Sequence, residues 1–254
     1  MKNKNWVVVA TIAAALSWVP LGMASDSVLT KDQEAAVGEV VKSYLLEHPE
    51  VVIEAVQNFQ VKQQQKQISE AEEKIKAHTS ELFDNTKTPH VGQSDGHLVL
   101  VEFYDFRCTH CREVSSSVDA LLKDHGQLKV IYKDFPIFSG PSMTAAKASL
   151  AAYALDPKKY QAFHHALMAF NGELQNKDIM NLAKESGYDE NALTLEMKKS
   201  WVEEQIKANF NLGTTIGVNA TPMFVLANTK TNQYVFIPGA LSKKALDEAL
   251  SKLL

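Results

Sequence analysis

The chain has 254 residues, 45% of them hydrophobic, which is enough for one large or two modest domains with a proper core. Its formal charge is −4, so there is no basic excess to bind a phosphate backbone, and nucleic-acid recognition is set aside. Both cysteines fall in one stretch, Phe106-Arg107-Cys108-Thr109-His110-Cys111-Arg112, and the chain's two arginines flank them.

In chain order, Lys2 and Lys4 precede an apolar run from Trp6 to Leu16, Pro20 breaks the helix, and Gly22-Met23-Ala24 offers small residues to a signal peptidase. The run is shorter than the ~20 residues that span a bilayer, and no cysteine follows it to carry a lipid. Residues 1–24 read as a cleaved signal peptide. Export puts the cysteines where disulfides persist.

From Ser25 to about Asp84 the pattern is helical, with no break into strand. Thr30 and Gln33 fit a capping box for a helix running to about Glu47, and Pro49 restarts the helix where its missing N–H costs nothing. The second helix, predicted from Pro49 to about Phe83, would be about 50 Å long. Along it Val61, Ile68, Ile75 and Leu82 recur every seven positions, and Val52, Val56 and Phe59 mark an apolar face upstream. A narrow stripe on a long helix needs a partner, so residues 25–87 are predicted to form an oligomerisation region, making a homodimer. Packing on its own domain, or a loose stalk, is the alternative.

Asn85 to Gly96 reads as linker and turns. Leu98 to Phe106 is a nearly continuous apolar run, the pattern of a strand buried on both faces. Helical periodicity then runs from Cys108 to about Lys123, and Gln127 to Phe135 is a second buried strand ended by Pro136. Together they make a βαβ unit, hence an α/β domain over residues 88–254. Ser142 to about Asn211 is helical, interrupted at Asp156-Pro157, Asn171-Gly172 and Ser186-Gly187. That is too much helix for one crossover, so an inserted helical subdomain is predicted over about 138–211. Met223–Ala227 and Gln233–Ile237 form a hairpin around Asn228–Asn232, and Ser242 caps a closing helix.

A lone C-x-x-C is half of a zinc site, a structural disulfide or a redox pair. The zinc reading lacks further ligands: His164-His165 is the nearest candidate, and helical neighbours point about 100° apart. A structural disulfide closing so small a loop restricts the unfolded chain least. Position favours the redox pair. Between a buried strand and a helix, Cys108 falls at a helix N-terminus, where free N–H groups and the macrodipole favour the reactive thiolate. His110 would add to this, as would positive charge from Arg107 and Arg112. A stabilised thiolate makes the disulfide form an oxidant, with Cys108 as nucleophile and Cys111 as resolving thiol. No metal and no cofactor beyond the Cys108–Cys111 disulfide is expected. Glu102, an acid inside an apolar strand, suits proton transfer to Cys111 if buried, with Lys133 as a neighbour. Pro222, entering a strand after Thr221, marks an edge or a special turn.

These residues resemble the DsbA family of thioredoxin-fold disulfide catalysts. The likeness covers about His90 to the C-terminus: Val101-Glu102-Phe103, Cys108-Thr109-His110-Cys111, Tyr132-Lys133-Asp134-Phe135-Pro136, Phe163-His164 and Thr221-Pro222. The resemblance implies a thioredoxin-like fold, a buried acid at Glu102, and a cis Thr221-Pro222 bond lying against the disulfide, where substrate binds. Thr109 stands where the family usually has Pro, so its redox poise does not carry over, and Ala220 replaces a usual Gly. The N-terminal helices resemble the extended, oligomeric branch of ScsC-like and Com-like proteins. The expected activity is periplasmic thiol:disulfide interchange, isomerase or oxidase, on exported cysteine-containing proteins with a membrane partner of DsbB or DsbD type. Alternatives are a dedicated oxidase, a holdase chaperone or a metal-binding protein.

Overall fold

A computed structural model describes residues 29–254; the expected signal peptide, residues 1–24, lies outside the described residues. The elements in order are α1 (Lys31–Glu47), α2 (Pro49–Ala77), α3 (Thr79–Phe83), β1 (His90–Gly92), β2 (Leu98–Tyr104), α4 (Thr109–Asp124), β3 (Leu128–Asp134) and α5 (Pro141–Leu155). There follow α6 (Pro157–Ala169), α7 (Asn176–Glu185), α8 (Glu190–Met197), α9 (Ser200–Ile216), β4 (Met223–Asn228), β5 (Gln233–Pro238) and α10 (Lys243–Ser251). The chain divides between Asn58 and Phe59 into two compact units.

In the first unit, α1 opens on the expected capping box, with Gln33 N–H donating to Thr30 Oγ1 at 3.3 Å and Thr30 N–H to Gln33 Oε1 at 2.8 Å. No residue of α1 is buried. Val37, Val40, Val41, Tyr44, Val52, Ile53 and Val56 all stand exposed.

The second unit is built on a five-stranded sheet of order β1-β3-β2-β4-β5. Every residue of β2 is buried, as its unbroken apolar run requires, and β2 pairs parallel with β3 and antiparallel with β4. The parallel pair joined by α4 is the expected βαβ unit, and β4 and β5 form the expected hairpin. Side chains alternate across β2. Leu98, Leu100 and Tyr104 enter a core shared with α4, α10 and the helices α5 to α8, whereas Val99, Val101 and Phe103 enter one shared with α2, α3 and α9.

Three expectations need correction. The second helix stops at Ala77: His78 leaves helical geometry, its N–H bonding Ile75 O at 3.0 Å, and its ring holds Glu81 at 2.7 Å as α3 restarts. That turn sends Leu82 and Phe83 into the sheet, where Ile75 and Leu82 are fully buried and Ile68 packs alongside. The later half of the seven-residue stripe is therefore spent on the chain's own sheet, while Phe59 and Val61 stay exposed. Second, the stretch read as linker contains β1, paired with β3; a three-residue strand with one buried side chain carries no readable period. Third, the helical run extends past residue 211. Helix α9 continues to Ile216, which is buried with Leu212 against the sheet, and ends on Gly217 at φ 97°, a conformation glycine adopts without penalty.

Candidate active site

Cys108 is the N-cap of α4, reached by the turn that follows β2, with its N–H donating to Asp105 O at 3.0 Å. It is 6% exposed, Cys111 is fully buried one turn later, and both are free thiols. Across the site, Thr221-Pro222 is a cis peptide, as the resemblance implied, and Cys108 Sγ donates to the Thr221 carbonyl oxygen at 3.2 Å.

The two thiols are driven apart electrostatically. A hydrogen bond from the Cys111 thiol pulls the Cys108 pKa down to about 5 against the penalty of burial, aided by Thr221 and by the backbone N–H groups of Cys111 and His110. Burial pushes Cys111 far up, and its bond to Cys108 adds to the rise. The result is one thiolate and one thiol at neutral pH.

Glu102 lies inside β2, 1% exposed, with Oε1 lacking a hydrogen-bond partner. Burial, then the charges of Asp119 and Cys108, raises its pKa to about 8, so the expectation of a buried acid near the cysteines holds. Lys133 is not its neighbour. Glu102 pairs in register with Tyr132 and Lys133 with Phe103, so the two side chains leave opposite faces of the sheet. Lys133 Nζ instead donates to Glu81 O at 2.8 Å and to Thr88 Oγ1 at 3.2 Å, anchoring α3.

Thr109 and His110 are exposed on the first turn of α4. The His110 ring pairs with Glu113 at 3.0 Å, which raises its pKa, and Cys108 contributes less to that rise. His110 thus acts on the thiolate mainly through its backbone. The arginines are also otherwise engaged: Arg107 reaches Glu173 at 3.0 Å, while Arg112 donates to Met168 O at 3.2 Å and Gly172 O at 3.3 Å. They tie the motif to the last turn of α6 and the segment after it. His164 and His165 point apart as expected, His164 buried against the Tyr132 ring at 4.0 Å and His165 bonded to Asp119 at 3.1 Å. Among the described residues no group of three or more His, Cys, Asp or Glu is placed to hold a metal ion, and no helix is long and apolar enough to cross a membrane.

The sequence reading missed two clusters. Asp105 bonds four donors around the motif. Asp134, Tyr104, Ser149 and Tyr160 form a buried network joining β2, β3, α5 and α6. An acid at the end of each buried strand was the available signal.

The profile of the family described as Thioredoxin matches residues 84–250. The chain belongs to the thioredoxin family. A second match, to the copper resistance protein ScsC N-terminal domain, covers residues 33–66, so this thioredoxin-family chain carries the ScsC-like extension that its helices resembled. Its thioredoxin-like fold is similar to that of Salmonella enterica Typhimurium BcfH, with 27% identity, TM-score 0.72, and 87% of this chain and 96% of that one covered. It is also similar to the thiol-disulfide exchange protein alpha-DsbA2 of Wolbachia pipientis, with 29% identity, TM-score 0.65, and 72% and 95% covered. Among curated relatives, the probable disulfide bond formation protein D of Bacillus anthracis is 23% identical over 68% of this chain and 83% of its own length. The chain also matches the Na(+)/H(+) antiporter NhaA 1 of Salinispora arenicola at 26% identity over 39% of this chain, but spans only 15% of that protein.

Proposed function

We propose that this protein is a periplasmic thiol:disulfide interchange enzyme acting on exported cysteine-containing proteins. The observation that carries the reading is the division of labour at the motif: an acid-shifted thiolate at the N-cap of α4 beside a fully buried thiol.

In the oxidising direction a substrate thiolate attacks Cys108 Sγ of the Cys108–Cys111 disulfide. A mixed disulfide forms, and Cys111 leaves as a thiolate that takes a proton. Glu102, its carboxyl raised to about 8, holds that proton at neutral pH and accepts one in the reverse step. A second substrate thiolate then attacks the substrate sulfur, Cys108 departs as a stabilised thiolate, and the substrate keeps the disulfide. A good leaving group at Cys108 makes the disulfide form oxidising, which fits an oxidase recharged by a membrane partner of DsbB type. In the isomerising direction the Cys108 thiolate attacks a wrong substrate disulfide, and Cys111 releases substrates that do not rearrange. A partner of DsbD type would keep that form reduced. Thr221 and Pro222 form the substrate-facing wall, and Thr109 and His110 the exposed rim.

The exposed Val, Ile, Tyr and Phe side chains of α1 and the start of α2 support a homodimer through the N-terminal helices. Two linked sites would raise the effective concentration of a bound substrate and so favour isomerase activity.

Turnover on reduced and on scrambled ribonuclease tests the proposal. Activity on either supports it and separates oxidase from isomerase, whereas no turnover on either overturns it.

A further inference from the structure

Lys133 is a buried charge that the exchange chemistry does not use. It leaves β3 on the face of the sheet opposite Glu102, is 1% exposed, and donates from Nζ to Glu81 O at 2.8 Å and to Thr88 Oγ1 at 3.2 Å. Both acceptors are neutral. A buried ammonium is ordinarily paired with an anion, and Nζ carries three protons, so these two oxygens do not compensate its charge and leave one N–H to place. Burial lowers its pKa to about 8, so most of it remains protonated at neutral pH.

Lys133 lines a pocket of about 370 Å³ between α3 and α9, together with His78, Asn85, Gln205 and Asn209. The three amides form a chain whose direction is fixed at both ends. Asn209 Nδ2 donates to Asp134 O at 3.1 Å, because a carbonyl can only accept, and Asn85 Oδ1 accepts from Lys87 N–H at 2.9 Å, because a backbone N–H can only donate. Between those ends Asn85 Nδ2 donates to Gln205 Oε1 and Gln205 Nε2 to Asn209 Oδ1, each at 3.0 Å. All three amide oxygens are therefore engaged, while each amide nitrogen keeps a second N–H with no acceptor among the described residues. Glu81 also lines the pocket, and the His78 ring holds its carboxylate at 2.7 Å. What the amide chain has left over is donors, beside a positive charge.

We propose that this pocket binds a small oxyanion, a carboxylate or phosphate group, held by Lys133 Nζ and by the spare amide N–H groups of Asn85, Gln205 and Asn209. A carboxylate or phosphate has lone pairs enough to take several N–H groups at once, and bonds to an ionised acceptor are the strong kind. Because Lys133 also holds Glu81 O, the bound anion fastens α3 to α9 through the same ammonium. The site is separate from the cysteines, since Lys133 and Glu102 leave opposite faces of the sheet, and its occupancy is read without reference to thiol exchange.

The test is isothermal titration of the full-length protein at neutral pH and constant ionic strength, with sodium phosphate in one arm, sodium malonate in a second and sodium chloride as the control. A single saturable site for phosphate or malonate is expected, and no saturable heat from chloride. The tighter of the two oxyanions tells which class the pocket takes. Lys133→Met keeps the apolar stem and removes the charge, and is expected to weaken binding at least about tenfold, the loss of a charged hydrogen bond. Asn85→Asp, at the half-buried end of the amide chain, replaces a donor with a negative charge. It is expected to weaken binding by a similar factor, and it decides the matter if Lys133→Met does not fold. A titration with no saturable site in either oxyanion arm overturns the proposal. So does binding that stays at wild-type strength in Lys133→Met, or in Asn85→Asp if the former is unfolded.

Discussion

Thr221 offers Cys108 two different atoms. Its carbonyl oxygen accepts from the Cys108 thiol at 3.2 Å, and its hydroxyl, buried and without another partner, is placed to donate to the thiolate once the thiol proton has gone. Thr221→Val removes the hydroxyl at nearly constant volume, so the Cys108 pKa is expected to rise from about 5, and Thr221→Ser to hold it closer. Thiolate absorbance at 240 nm against pH measures both. Coincident titrations in the three proteins would contradict this role.

The Cys111 thiol is the largest influence holding Cys108 acidic. Cys111→Ala is therefore expected to raise the Cys108 pKa further than Cys111→Ser, whose hydroxyl still donates. His110→Ala keeps the backbone N–H and is expected to shift it less than either. Alkylation rates against pH give the three midpoints, and a larger effect from the imidazole than from Cys111 would refute the assignment.

Glu102 links the site to stability. Its carboxyl is raised from the usual 4.5 to about 8 by burial, so the folded chain holds its proton longer than the unfolded chain does. Stability from this group is complete below pH 4.5, declines as pH rises, and is lost above about 8, a span worth on the order of 5 kcal/mol. Glu102→Gln removes the decline. Denaturant unfolding of the disulfide form, in which neither cysteine titrates, is expected to show wild type losing ground to the variant between those pH values. Parallel curves would contradict a buried neutral acid.

The N-terminal helices are predicted to separate by function near residue 58. Deletion through Asn58 leaves Ala71, Ile75, Leu82 and Phe83 on the sheet, and is expected to turn the proposed homodimer into a folded monomer. Deletion through Asp84 strips that core face, and Leu82→Ala alone is expected to cost about 2–5 kcal/mol. Solution mass and thermal melting check both. A full-length protein that is already monomeric would overturn the oligomer.

Much of this was legible from local pattern. The unbroken apolar run of β2 announced a doubly buried strand, and the motif between strand and helix placed Cys108 at an N-cap. Long-range choices were not legible. A heptad stripe looks the same whether it meets another helix or the chain's own sheet; Ile75 meets the sheet from the end of α2, and the turn at His78 brings Leu82 to the same core. Lys133 looked like a partner for Glu102 until the strand register placed them on opposite faces. Asp105 was hidden because its donors at Ile137, Phe138 and Ser142 lie more than thirty residues away in sequence.

In the proposed exchange Cys108 attacks and Cys111 resolves. Mass spectrometry of covalent adducts, after mixing each single-cysteine variant with a disulfide-containing substrate, distinguishes the two roles. Cys111→Ser is expected to accumulate a mixed disulfide at Cys108 and Cys108→Ser to trap nothing; adducts on Cys111 in the Cys108→Ser protein, with none on Cys108 in the other, would contradict the account.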